Sequence, residues 1–231
     1  MATTDGFNPS TRNLPETLAR TLRHEVGDLL QTIYAAVAIL QRRLAPEAAL
    51  ERRVLGDLRR RAEGCKQLLD NMSDLVSQVN LSLEEVDLAQ LAASLVSVAA
   101  HRYPNLEIKA APSSPVLVSA DEKRIAQIGE ILLTQACEAA HHEVWFRTCV
   151  GAANGEAEWT VADDRQGNGG AQLEEASTPF EKIRDGTRGI ELTLAQRLVL
   201  LHGGRITAEN LPEGGFSVHV WLPGKVPASD S

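Results

Sequence analysis

Two consecutive apolar stripes constrain the fold of the first third of this chain. The first comprises Leu18, Leu22, Val26, Leu29, Ile33, Val37, Leu40 and Leu44. The second comprises Leu50, Val54, Leu58, Ala62, Cys65, Leu68, Met72, Leu75 and Val79. Spacings of three and four residues indicate amphipathic helices. The spacing of Asn13 and Glu16 predicts a capping box for the first helix, and Pro46 is expected to separate it from the second. We therefore predict an antiparallel helical hairpin.

Such a hairpin cannot bury both stripes by itself, so we expect a homodimer in which two hairpins form a four-helix bundle. His24 lies two residues from both Leu22 and Val26, which places it on the polar face of the first helix. Glu25 follows it directly, and Asp28 lies one turn further along the same outer face. A carboxylate beside an exposed imidazole can hold the tautomer that leaves one ring nitrogen free to attack.

The remainder of the chain mixes helices and strands without strict βαβ alternation, which indicates an α/β layer sandwich. The predicted elements are a helix that begins at 85–88 with Asp87 as its cap and ends near His101, strands over 106–110 and 116–119, a helix from Asp121 to about Ala140, strands over 144–150 and 158–163, a loop over 164–188, a helix from about Ile190 to His202, and a hairpin over 205–209 and 216–222.

Charge and cysteine content narrow the function. The net charge is −8, and residues 81–231 carry 12 basic against 21 acidic side chains, which argues against a nucleic-acid or anionic-membrane partner. The cysteines, Cys65, Cys137 and Cys149, have no metal or disulfide spacing, as expected of a cytoplasmic protein. Since no apolar run has membrane-spanning length, we expect no membrane partner and a sensor located elsewhere.

Several motifs occur in an order that resembles the two-component histidine kinases. They are HEVGDLLQTI from His24, LLDNMSDL over 68–75, RIAQIGEILLTQACEAA over 124–140, VADDRQG over 161–167, STPFEKIRDGTRGIEL over 177–192, AQRLVLLHGGRITAEN over 195–210 and GGFSVHVWLP over 214–223. The resemblance implies a dimerisation and histidine phosphotransfer hairpin, followed by a Bergerat-fold ATP-binding domain. It divides the chain into a disordered segment (1–12), the hairpin (13–82), the ATPase-like domain (83–224) and a tail (225–231).

The histidine motif implies particular roles in this family. His24 matches the phosphoacceptor, and Glu25 matches the acid that takes the imidazole proton. Asp28 stands where the family usually has Asn or Thr, a position linked to dephosphorylation of the response regulator. The partner implied is therefore a response-regulator receiver domain in a phosphorelay.

The later motifs imply a site for ATP and Mg²⁺. Gln135 stands at the position of the Mg²⁺-binding Asn, and Asp163 matches the carboxylate that accepts a hydrogen bond from the adenine amino group. In the first glycine motif Gly167 is kept and Arg165 replaces a glycine, and in the second Gly189 is kept and Glu191 replaces a glycine. These glycines normally let backbone N–H groups approach the phosphates.

Glu191 brings a like charge to the phosphates, at a cost of about 4 kcal/mol per unit charge at about 4 Å and an effective dielectric of about 20. Arg165 can offset this cost by contacting phosphate or by pairing with Glu191, and because the two charges are opposite we hypothesise that they pair across the pocket. Three functions stay open. They are an ATP-fed histidine kinase that phosphorylates a receiver through His24, an ATP-independent histidine phosphotransferase, and a pseudokinase scaffold that carries no phosphate.

Overall fold

The structure is a computed structural model that describes residues 14–45, 48–111, 114–150, 155–165, 187–212 and 214–224. The segments predicted as a disordered N-terminus (1–12) and a tail (225–231) lie outside this part of the chain. Contacts divide the chain into two compact units, with the boundary between Val79 and Asn80. Within the described ranges, no helix combines the length and the apolar character that crossing a bilayer requires.

The first unit is a helical hairpin, formed by α1 (Leu14–Arg43) and α2 (Ala49–Val76). The helices run antiparallel, because Arg23 near the start of α1 lies 3.7 Å from the carboxylate of Asp70 near the end of α2. The side chains buried in the hairpin include Leu30, Val37, Ala62, Asn71 and Ser73. Large apolar side chains that stay exposed on this single chain are Leu18, Leu22, Leu29, Ile39, Leu40, Leu50, Val54, Leu58, Met72 and Val76.

The second unit is an α/β sandwich. Its helices are α3 (Leu88–Arg102), α4 (Glu122–Ala139) and α5 (Thr187–Leu201). Its strands are β1 (Glu84–Asp87), β2 (Glu107–Ala110), β3 (Leu117–Ala120), β4 (Glu143–Val150), β5 (Ala157–Asp163), β6 (Arg205–Asn210) and β7 (Phe216–Leu222). The main sheet has the order β2-β4-β5-β7-β6, in which only β2 and β4 pair in parallel. The sequence prediction of a hairpin followed by an α/β sandwich is thus confirmed.

Trp159 of β5 is the centre of the core between this sheet and its helices. The side chain is 1% exposed, its indole N–H donates to the carbonyl oxygen of Leu88 at 3.2 Å, and its ring meets Phe146 edge-on at 4.9 Å. Gly129 of α4 allows this packing, because a Cβ atom there would lie 2.4 Å from Leu95 Cδ1 and 3.2 Å from the Trp159 ring. The close approach fixes α4 over the strand that leads to Asp163.

The start of the second unit differs from the prediction in one respect. Asp87 caps α3 as expected, since its Oδ1 accepts from the backbone N–H of Ala89 at 2.9 Å. However, residues 84–87 form β1 rather than the first turn of the helix. β1 pairs antiparallel with β3, and the buried side chains of Val86 and Val118 stand opposite each other. Pairing with a strand that is distant in sequence determines this conformation, which the local pattern does not reveal.

Candidate functional site

His24 lies on the exposed face of α1, as predicted. Its side chain is 75% exposed, and its Nδ1 atom lies 3.2 Å from Oδ2 of Asp28, which is equally exposed. A carboxylate beside Nδ1 favours the tautomer with the proton on that nitrogen, which leaves the lone pair of Nε2 directed to solvent. Glu25 is exposed as well. The carboxylate that contacts the imidazole is therefore that of Asp28, one turn away, and not that of the neighbouring Glu25.

The turn of α1 that carries His24 is attached to α2 by Arg23. Its guanidinium donates to Ser73 Oγ and lies near Asp70, whose other carboxylate oxygen accepts from Lys66 at 2.9 Å. The sequence pattern does not predict these contacts, since Ser73 lies 50 residues further along the chain, although a basic residue directly before the histidine is a usable signal. They fix the rotation of α1 and so keep His24 directed outward.

A second group of predicted site residues surrounds a small cavity in the other unit. The cavity has a volume of about 80 Å³. Its lining residues are Leu132, Gln135, Ala136, Ala139, Val161, Asp163, Arg165, Leu192, Phe216 and Val218. The structure therefore brings Gln135, Asp163 and Arg165 together from α4 and the end of β5, although the first is far from the others in sequence.

Asp163 and Arg165 form a closed ion pair in this cavity. Oδ1 of Asp163 accepts from the backbone N–H of Arg165 at 3.0 Å and from its Nε at 2.7 Å, while Oδ2 accepts from Nη2 at 2.5 Å. The Asp163 side chain is 2% exposed and that of Arg165 35%. The guanidinium carbon also lies 4.5 Å from the centre of the Phe216 ring, which adds a cation–π contact.

The carboxylate of Asp164, the next residue, binds backbone N–H groups and is not directed into the cavity. Its carboxylate accepts from the backbone N–H groups of His141 and His142, at 2.8 to 3.0 Å, and fixes the turn after α4. Burial raises the pKa of Asp164, but these backbone donors outweigh burial and hold the pKa below its usual range. The two adjacent acids in this motif thus have different roles, and only Asp163 is directed into the cavity.

Glu191 is bound by Gln135 and not by Arg165. Gln135 Nε2 donates to Oε2 of Glu191 at 2.6 Å. The expected pairing of Arg165 with Glu191 is wrong, because the guanidinium already satisfies a buried carboxylate two residues away. Gly189 lies in the first turn of α5. Gly167 lies outside the described residues.

Comparison with known proteins identifies the class of protein domain in the second unit. Residues 120–226 match the family described as "Histidine kinase-, DNA gyrase B-, and HSP90-like ATPase". Sensor histidine kinase ZraS of Klebsiella oxytoca is 28% identical over 214 residues, which cover 89% of this chain and 45% of that protein. A bacteriophytochrome of Pseudomonas aeruginosa is also 28% identical, over 83% of this chain and 27% of its own length.

Solved structures agree on the fold. The structure of full-length ShkA in complex with AMPPNP superposes with a TM-score of 0.67 at 23% identity, covering 91% of this chain and 46% of that one. Acinetobacter baumannii histidine kinase AdeS gives a TM-score of 0.57 at 15% identity and covers 87% of this chain and 96% of its own. Residues 120–226 thus form a domain of this ATPase family, and the chain is similar over most of its length to sensor histidine kinases, although it spans less than half the length of the two curated relatives above.

Proposed function

We propose that His24 carries a phosphoryl group and transfers it to the aspartate of a response-regulator receiver domain. The observation that carries this proposal is the exposed imidazole whose Nδ1 faces Asp28 at 3.2 Å, which leaves Nε2 available as the nucleophile. When Nε2 forms its bond to phosphorus, the ring becomes an imidazolium that keeps its proton on Nδ1. Asp28 stabilises that positive charge, while Glu25 stays a candidate for proton transfer with the solvent.

We propose ATP as the phosphoryl donor. Nε2 then attacks the γ-phosphorus, the bond between that phosphorus and the bridging oxygen breaks, and ADP leaves with the electron pair. Membership of an ATPase-domain family and the position of Asp163 at the base of a cavity between α4, α5 and the sheet support this role. Gln135 and Glu191 lie on the side where α4 faces α5, and there they are proposed to face the phosphates.

The residues present also fit a Mg²⁺ ion that accompanies the nucleotide. The amide N–H of Gln135 donates to Glu191, and the carboxylate of Glu191 and the amide oxygen of Gln135 would hold the ion, since Mg²⁺ in proteins is usually bound by one or two such groups with phosphates and waters. When bound, the ion neutralises phosphate charge. Among the described residues, no cluster of three or more His, Cys, Asp or Glu side chains is arranged to hold a metal, and phosphates and waters would complete the coordination.

We further propose that the chain is a homodimer. Among the described residues of the hairpin, ten large apolar side chains are exposed, more than isolated surface residues would explain. A second hairpin would cover them in a four-helix bundle, in agreement with family membership. A cytoplasmic location, expected from the cysteine pattern, stays a prediction.

The test is transfer of labelled phosphate to the chain, from ATP labelled at the γ-phosphate and separately from a labelled phospho-receiver. Label on the chain should be acid-labile and base-stable, and His24→Gln should abolish it with either donor. His101→Gln is the matched control, because His101 is also an exposed helical histidine, with its Nδ1 2.7 Å from a carbonyl oxygen. Label that survives in His24→Gln contradicts the proposal.

An ATP-independent phosphotransferase is the second candidate, favoured by two observations. Both carboxylate oxygens of Asp163 are engaged by Arg165, and the cavity of about 80 Å³ is below the usual size of a ligand pocket, about 300 to 1,000 Å³. Label that arrives from a phospho-receiver but not from ATP would select this function. Absence of label from both donors would select the scaffold.

A further inference from the structure

The contacts of Arg165 resemble those that a flat, amino-bearing ligand would make in the same cavity. The guanidinium is planar, donates two hydrogen bonds to Asp163 in its own plane and lies over the Phe216 ring. Asp163 and Phe216 face each other across paired strands, because they are register partners of β5 and β7. A carboxylate beside an aromatic ring recognises any planar group that has N–H donors at its edge.

The volume of the cavity also indicates that Arg165 occupies the place where a ligand would bind. Arg165 lines this cavity of about 80 Å³, whereas ligand pockets usually measure about 300 to 1,000 Å³. The remaining walls are largely apolar and include Leu132, Val161 and Leu192. Withdrawal of the guanidinium would enlarge the cavity and free the only carboxylate among its described lining residues.

We infer that Arg165 is an internal competitor for the base of an adenine nucleotide, which can enter the cavity only when the guanidinium leaves Asp163 and Phe216. An aminopurine has the two features that Arg165 uses here, an N–H donor at its edge and a flat face. Arg165 therefore lowers nucleotide affinity and excludes ligands whose base contacts Asp163 and Phe216 too weakly to displace the guanidinium. This inference rests on the proposed use of ATP.

The competitor role predicts the direction in which ligand affinity changes when Arg165 is removed. If Arg165 instead attracted phosphate, its removal would weaken ATP binding and would not affect adenosine, which has no phosphate. Removal of a competitor for the base strengthens the binding of both ligands. Adenosine therefore separates the two explanations, and inorganic tripolyphosphate provides the opposite probe, because it has phosphates and no base.

The chain offers a matched control in Arg205. Its Nη1 lies 2.5 Å from Oε1 of Glu156, and its guanidinium carbon lies 4.5 Å from the centre of the Trp221 ring. This repeats the carboxylate-and-ring arrangement of Arg165, but Arg205 is not among the described lining residues of the cavity. Arg205→Ala thus removes an equivalent surface contact and should leave nucleotide affinity unchanged.

The experiment is isothermal titration of the full chain with ATP, adenosine and tripolyphosphate. Arg165→Ala should bind ATP and adenosine about tenfold more tightly than the unaltered chain, a change of about 1.4 kcal/mol, similar to one hydrogen bond to a charged group. The affinity of Arg165→Lys for both ligands should lie between that of the unaltered chain and that of Arg165→Ala, because an ammonium keeps the charge without the planar fork. Asp163→Asn, added to Arg165→Ala, should remove the gain.

A measurement on the unaltered chain tests the proposal independently of whether the variant folds. The Nε–H resonance of Arg165 should shift when adenosine is added and should not respond to tripolyphosphate. Equal or weaker adenosine binding by Arg165→Ala, while the unaltered chain binds ATP, overturns the competitor role and leaves the proposed function intact. No binding of ATP or adenosine by any variant overturns both ATP as donor and this inference.

Discussion

Replacement of Asp28 by Asn tests the role of the carboxylate beside His24. The variant keeps the size of the side chain and removes the charge 3.2 Å from Nδ1. Both side chains are 75% exposed, so the dielectric of water applies, and at this distance the attraction to an imidazolium is about 1.3 kcal/mol. The phosphoryl group approaches Nε2 on the other side of the ring, so its repulsion by Asp28 acts over a longer distance and is weaker.

The expected result is a fall of about tenfold in the rate of phosphoryl transfer to His24 at low salt. Because the pair is exposed, the deficit should shrink in about 1 M salt, where the Debye length is about 3 Å. The assay is rapid-quench transfer from a labelled phospho-receiver, which makes the result independent of ATP binding. Asp57→Asn is the control, since Asp57 also pairs with a basic side chain within an exposed helix turn.

Two outcomes would refute the reasoning. An unchanged rate in Asp28→Asn, together with a large loss in Glu25→Gln, would assign the essential carboxylate to Glu25, as the family resemblance implies. A loss that does not depend on salt would show that Asp28 acts by geometry and not by its charge. In both cases His24 could remain the acceptor, since only the orienting group is tested.

Two further predictions concern assembly and stability. Leu22→Asp and Leu58→Asp replace apolar side chains that are 42% and 43% exposed on the single chain, and each should convert the dimer to a monomer in light scattering, unlike Leu200→Asp, which changes an exposed residue of the other unit. Burial raises the pKa of Glu158, but hydrogen bonds, first from His219, outweigh burial and hold the pKa below the usual value for a glutamate. Its contribution to stability is therefore present above that value and is lost as pH falls through the folded-state pKa. Glu158→Gln should flatten the acid side of the stability profile measured by urea unfolding, and an unchanged profile would contradict this.

The predictability of the fold and of the candidate site follows the range of the interactions involved. The hairpin, the cap at Asp87 and the final strand pair were predicted correctly, because periodicity and capping act within a few residues. The exposure of His24 followed from its position between Leu22 and Val26. Roles carried over from the family, such as those of Gly167 and Gly189, stay predictions.

Only the tertiary structure decided which charges meet. The sequence placed Arg165 and Glu191 at one pocket with opposite signs, and pairing by sign alone was reasonable. In the folded chain Arg165 pairs with Asp163, because β5 ends with a buried carboxylate whose oxygens the neighbouring guanidinium can reach. Glu191 accepts from Gln135, because the packing of α4 and α5 brings the amide to the carboxylate. Phe216 completes the contact from a strand 51 residues later. Such partners are set by strand register and helix packing, which a linear pattern does not encode.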